Sequence, residues 1–358
     1  MNIWLLEIEA HEQRYTRQWR DHLPGQLERA ALDRGYGDVR VRVVSGDAAE
    51  QVTTPGAFLN FAATNRFKSS QIITVARAFE CGEVKAGDRF VITDAWHPGI
   101  IQIRYMADLL KVPVEIHALW HAGSYDPWDF LGRDVADKRW SHSFERALFH
   151  AIDVNCFATQ FHIDLFKRVL GVADDRRILR TGWPMEYLSE TLAAHRGVGK
   201  RDLVLFPHRL APEKQVEIFR DLATAFPNHE FRVCQESALS KREYHQLLAE
   251  SRVVFSANLQ ETLGISLYEG LLCGAVPVAP DRLSYTEMYP SSLLYPSAWT
   301  ESGQAYRTHR AQVIERLGNV LSNPTSETVL ATATARLQAE FFTATNFYDR
   351  LFAPRERL

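Results

Sequence analysis

The stretch Gln260–Pro280, QETLGISLYEGLLCGAVPVAP, decides how the chain reads. It sets Glu261 and Glu269 on either side of a Thr-Leu-Gly-Ile-Ser turn, in the spacing E-x7-E, and a helical pattern then runs to Gly274 and a buried strand, Val276–Ala279. Glycine lets the backbone approach a ligand, and a helix start offers free amides and a favourable dipole to phosphate. Carboxylates accept from hydroxyls. Together these features describe a site for something polyhydroxylated and anionic.

Outward from this stretch, short apolar strands alternate with helices along the whole chain. Strands are expected at Ile3–Ile8, Val39–Val44, Phe90–Thr93, Val112–Ala118 and Ile152–Thr159, with helices at Tyr15–Leu32, Ser69–Phe79, Ile100–Leu110, Trp140–His150 and Gln160–Leu170. A loop carrying Pro55 and Gly56 separates the second strand from the next helix. Such alternation predicts a parallel sheet covered on both faces, with working residues beyond the carboxyl ends of the strands. The turn after the first strand, from Glu9 to Glu12, lacks the G-x-G-x-x-G of a dinucleotide fold. Two later strand ends are rich in chemistry: Thr93–Gly99 with Asp94, Trp96 and His97, and Trp120–Trp128 with His121, Tyr125 and Asp126. Aromatic faces beside polar edges suit a sugar or a base. His121 is the preferred cleft histidine, and the other five are acceptor-side candidates. Arg176, Arg177 and Arg180 read as a solvated basic face.

The polar segment Tyr187–Arg201 is expected to divide two domains, 1–186 and 200–340. The second opens with a strand at Asp202–Pro207 and the pair Arg209…Lys214, which can reach a diphosphate from the side opposite Glu261. Strands at Glu230–Cys234 and Arg252–Ser256 flank a helix, Lys241–Glu250. Beyond Ala305 the chain is helical with Pro324 as a break, and an aromatic-rich end, 341–358, is expected to return to the first domain.

At 358 residues and a formal net charge of −3, the chain holds two cores and has no global pull toward nucleic acid or anionic membrane. Its four cysteines stand singly and read as reduced. With no span or signal pattern, a soluble cytoplasmic protein is expected.

The order Arg209…Lys214, Glu261…Glu269, GAVPVAP resembles the retaining nucleotide-sugar glycosyltransferases of the two-domain GT-B type, two Rossmann-like α/β domains facing across a cleft. The resemblance implies that Arg209 and Lys214 bind the donor diphosphate, that Glu261 holds donor-sugar hydroxyls, and that Glu269 holds the ribose. The backbone of Thr262, Leu263 and Gly264 would face sugar and phosphate, and His121 would be the cleft histidine. Residues 200–296 also look similar to the tRNA-queuosine mannosyltransferase group, through Pro207–Arg209 (PHR), Cys273–Pro277 (CGAVP) and Tyr285–Pro290 (YTEMYP). Phage enzymes that glycosylate hydroxymethylated DNA bases are similar in fold. A UDP- or GDP-sugar donor, a modified nucleic-acid base (5-hydroxymethylcytosine in DNA) as acceptor and no metal follow as expectations. The alternatives are a queuosine tRNA acceptor, a glycan or small-metabolite acceptor, and a non-catalytic nucleic-acid- or sugar-binding protein on the same fold.

Overall fold

The computed structural model describes residues 1–11, 14–47, 60–173, 176–323 and 325–354; Pro55, Gly56 and Pro324 lie outside the described residues. The chain divides into two compact units, Met1–Pro184 together with the segment from Ala344, and Met185–Thr343. The change of unit falls just before the polar 187–201 stretch.

Among the described residues, the first unit carries six strands: β1 Asn2–Leu6, β2 Arg40–Val44, β3 Arg89–Ile92, β4 Glu115–Trp120, β5 Val154–Phe157 and β6 Ile178–Arg180. Their order is β2-β1-β3-β4-β5-β6 and the pairings are parallel. β3, β4 and β5 are buried along their full length, because helices cover the central strands on both faces. β6 lies within the basic stretch read from sequence as a solvated face. Its three residues are only half-buried and close the sheet edge against β5. The helix expected from Ser69 starts at Phe61 and runs to Glu80. Asn60 caps it by accepting from the Ala63 amide.

The second unit repeats the scheme with β7 Leu203–Phe206, β8 Glu230–Val233, β9 Val253–Phe255, β10 Val276–Pro280 and β11 Leu294–Tyr295, all parallel and ordered β11-β10-β9-β7-β8. In both sheets the first strand of the unit lies between the second and the third, so strand order reverses there. The loops after β7 and β9 therefore diverge and leave a crevice, where ligands of such sheets bind.

The last helix, Thr345–Phe352, belongs to the first unit and buries Phe347, Tyr348, Leu351 and Phe352. Arg350 Nη2 lies 2.7 Å from Glu115 Oε1 on β4, Arg89 Nη2 donates to the Ala353 carbonyl at 2.5 Å, and Arg34 meets Asp349 at 2.6 Å. Burial raises the Glu115 pKa, but His117, Arg350 and Arg89 outweigh it and hold the carboxyl at about 2. Among the described residues no helix is long and apolar enough to cross a membrane.

If this helix is part of the first unit's core, Leu351→Ala leaves a cavity at a fully buried position. It should cost about 2–5 kcal/mol of stability. Urea unfolding followed by tryptophan fluorescence checks this; a loss below about 0.5 kcal/mol would show the helix to be dispensable.

Candidate active site

The crevice of the second unit is built from two loops and a helix start. After β7 the chain passes His208 and Arg209 into a short 3-10 turn, Pro212–Lys214. Gln215, at φ 52°, then turns it into the helix Val216–Ala223. This left-handed residue earns its place through its side chain, whose amide donates to the carbonyls of Ala257 (2.6 Å) and Thr300 (2.7 Å). Arg282 braces the same loop from the other side, with Nε to Asn258 O and Nη2 to Ala257 O, both at 2.7 Å. The segment after β9 is thus clamped at successive carbonyls before it reaches Glu261.

Lys214 joins the two loops. Its ammonium, almost fully buried, donates to the Gln260 carbonyl at 2.5 Å and lies 3.4 Å from Glu261 Oε2. Burial pulls the Lys214 pKa down while Glu261 opposes that pull. Burial likewise raises the Glu261 pKa, but Lys214 and the Gly264 and Leu263 amides more than offset it and leave the carboxylate ionised. Glu261 Oε1 also accepts from the Thr262 amide at 3.2 Å. Arg209 is aimed by Glu213, whose Oε1 accepts from Nε (3.0 Å) and Nη2 (2.5 Å). Glu213 is fully buried, so this pair fixes the guanidinium firmly.

Gly264 opens the helix Ile265–Leu272 at φ 79°, and a Cβ there would lie 2.8 Å from the Tyr285 ring. Both the left-handed backbone and the close approach require glycine. The sequence-predicted residues Arg209, Lys214, Glu261, Thr262, Leu263 and Gly264 therefore converge at one strand-order switch.

Glu269 lies one turn further along the helix. Its Oε1 accepts from Lys241 Nζ and its Oε2 from the Tyr244 hydroxyl, both at 2.9 Å, and both partners come from the helix Lys241–Glu250 that follows β8. Burial raises the Glu269 pKa, yet Lys241 and His245 outweigh it and hold it at about 2.

Sequence reading gave no role to Gln215, Arg282, Lys241 and Tyr244, or to the buried group His208, Asn258 and Tyr285, although His208 and Tyr285 lie within the PHR and YTEMYP motifs. Asn258 Nδ2 donates to the Tyr285 hydroxyl at 3.0 Å and lies 3.4 Å from His208 Nδ1. The available signal was positional and partial: His208, Asn258 and Arg282 follow β7, β9 and β10 within three residues, whereas Gln215 and Lys241 stand further along their loops.

In the first unit, the expected residues divide between surface and interior. Asp94 is paired with Lys68 at 2.6 Å and accepts from the Trp96 amide, and together they hold its carboxyl at about 2 although burial alone would raise it. Trp96 donates to Glu145 Oε1 at 2.8 Å and makes an edge contact with the exposed Trp140. His97, Tyr125 and Asp126, expected on the acceptor side, are instead interior residues. His97 accepts from the Gly99 amide and contacts Gln71, the Tyr125 hydroxyl meets His162 Nε2 at 2.6 Å, and Asp126 accepts from the Trp128 amide. His121 is likewise engaged: Nε2 faces the Thr93 carbonyl at 2.6 Å and must donate to it, so Nδ1 accepts from the Tyr15 hydroxyl at 2.7 Å. Burial lowers its pKa, and the ring stacks on Tyr15, meets Trp19 edge-on and lies tilted against Trp183. In this arrangement the imidazole braces the end of β4 and has no nitrogen to offer for proton transfer.

No protein-family model matches the chain. A tRNA-queuosine alpha-mannosyltransferase of Drosophila melanogaster is 37% identical over 57 residues, 16% of this chain and 15% of that protein's length. Among solved structures, the chain is similar to a sucrose-phosphate synthase from Thermosynechococcus elongatus, with a TM-score of 0.62, 14% identity, and 98% of this chain and 99% of that one covered. It is also similar to an alpha,alpha-trehalose-phosphate synthase (UDP-forming) from Burkholderia vietnamiensis, with a TM-score of 0.55, 15% identity, and 97% and 95% covered.

The Glu269 carboxyl carries a pH signature. Its pKa in the folded chain lies below the ordinary 4.5, so the stability it contributes is present above about pH 4.5 and lost as pH falls toward about 2. Urea midpoints measured from pH 5 to pH 2.5 should fall more steeply for the wild type than for Glu269→Gln. Parallel curves would show that Glu269 is not a depressed, ion-paired carboxylate.

Proposed function

We propose that this chain, whose fold is GT-B, transfers a hexosyl group from a UDP- or GDP-sugar to a hydroxyl acceptor with retention at the anomeric carbon. The observation that carries the reading is the meeting of Arg209, Lys214 and Glu261 at the second sheet's switch point. The bond from the anomeric carbon to the diphosphate oxygen breaks. A bond from the acceptor oxygen to that carbon forms on the same face. The acceptor proton passes to the departing diphosphate. Arg209 and Lys214 stabilise the charge that grows on the leaving group, an electrostatic role that calls for no metal. Glu261 accepts from donor-sugar hydroxyls, Glu269 from the ribose diol, and the helix start after Gly264 faces the diphosphate.

For the acceptor we take a modified nucleic-acid base, 5-hydroxymethylcytosine in DNA. Exposed Trp140 beside Trp96 on the first unit supports this, because indole faces stack on bases of any sequence. A queuosine base in tRNA is the second reading, favoured by the 57-residue match.

The test is incubation with UDP- and GDP-hexoses and either hydroxymethylcytosine DNA or queuosine tRNA, followed by mass spectrometry of the nucleosides. A gain of one hexose on the DNA base is expected, and Lys214→Ala should lower kcat by about 10²–10³. Hexose on queuosine alone would move the acceptor to the second reading. Neither transfer nor donor hydrolysis with any sugar nucleotide would overturn the enzyme.

A further inference from the structure

We infer that Lys241 is a nucleotide-binding residue, and that with Glu269 and Tyr244 it forms a clamp that selects ribonucleotide donors over 2′-deoxyribonucleotide ones. The inference rests on the proposed ribose contact of Glu269.

Lys241 is the first residue of the helix that follows β8, so it lies on the strand-carboxyl side of the sheet, as Arg209, Lys214 and Glu261 do. Its ammonium touches Glu269 Oε1 at 2.9 Å and sits 4.8 Å from the centre of the Tyr244 ring. The Glu269 side chain is 4% exposed and that of Lys241 is 26% exposed. The lysine is thus the more solvent-accessible member of the pair.

An ionised carboxylate offers about four acceptor positions. Lys241 takes one on Oε1 and the Tyr244 hydroxyl takes one on Oε2, while His245 Nε2 stays back at 3.8 Å. Each oxygen therefore keeps room for one more donor, which matches the two hydroxyls of a vicinal diol. Once each ribose hydroxyl has given its proton to Glu269, its own lone pairs need a donor. The ammonium has two protons beyond the one on Oε1 and is the cation at hand. Evicting Lys241 instead would take the nearest cation from a buried carboxylate and leave it only the more distant His245, at 3.8 Å, which is the costlier arrangement. The lysine therefore swings on its flexible stem to admit the diol and stays in contact with both. Tyr244, shorter and stiffer, holds Oε2 in place.

Titration calorimetry with UDP, 2′-deoxy-UDP, GDP and 2′-deoxy-GDP tests the clamp on the wild type, Lys241→Met, Lys241→Arg and Glu269→Gln, with melting curves as a folding control. The wild type should favour the ribonucleotide of its preferred base. Lys241→Met should weaken that ribonucleotide about tenfold, the loss of roughly one charged hydrogen bond. It should weaken the 2′-deoxy form less, because that form keeps only the 3′-hydroxyl, and Lys241→Arg should restore part of the difference. Ribonucleotide binding by Lys241→Met that equals the wild type, while Glu269→Gln loses the preference, overturns Lys241 alone. Tighter binding by Lys241→Met makes the lysine a cover and not a clamp, and also overturns the inference. An intact preference in Glu269→Gln overturns the ribose contact itself.

Discussion

The buried ammonium of Lys214 is the contact on which the candidate site depends. It bonds the Gln260 carbonyl and pairs with Glu261, so it ties the loop after β7 to the loop after β9 where the strand order diverges. A buried lysine of this kind is costly unless its acceptors are fixed. That requirement explains the outer shell: Gln215 and Arg282 pin the carbonyls of residues 257 and 258, and Glu213 pins Arg209. Loss of any one of these braces would release a charge that the others hold in register.

The alternation of strands and helices was legible because central parallel strands are apolar along their whole length and helices keep their own period. The helices Gln160–Leu170 and Lys241–Glu250 appear at the residues expected from sequence. The start of the helix at Phe61 was not legible, since its first turns carry Asn65, Arg66, Lys68 and Ser69 on a largely exposed face and its Asn60 cap reads as loop. β6 escaped for the opposite reason: three half-buried residues in a basic stretch give no apolar run.

The site was legible in unequal measure. Arg209, Lys214, Glu261 and Gly264 follow strands in the sequence, and that position together with the glycosyltransferase resemblance brought them together. His121, His97, Tyr125 and Asp126 satisfied the same rule, yet their side chains turn inward. Residue type at a strand end says that a polar group is near the functional edge of a sheet. It does not say whether the backbone will consume that group. His121 illustrates this: the Thr93 carbonyl and the Tyr15 hydroxyl, both outside its own segment, occupy its two nitrogens.

The two units share the strand order at their switch points and differ in what they do with charge there. In the first unit charges at the strand ends pair over short distances, Lys68 with Asp94, while Glu9 accepts from Thr64 at 2.5 Å, and Trp140 stands exposed beside Trp96. In the second, cations and carboxylates are concentrated around one crevice, with Arg209 and Lys241 retaining partial exposure. In the first unit, an exposed indole beside such pairs suits an uncharged ring recognised by its face. A crevice that keeps buried carboxylates ionised beside clamped cations suits a ligand that carries both hydroxyls and phosphate. The same topology thus reaches two recognition chemistries by changing which loop residues are paired internally and which are left with capacity to bind.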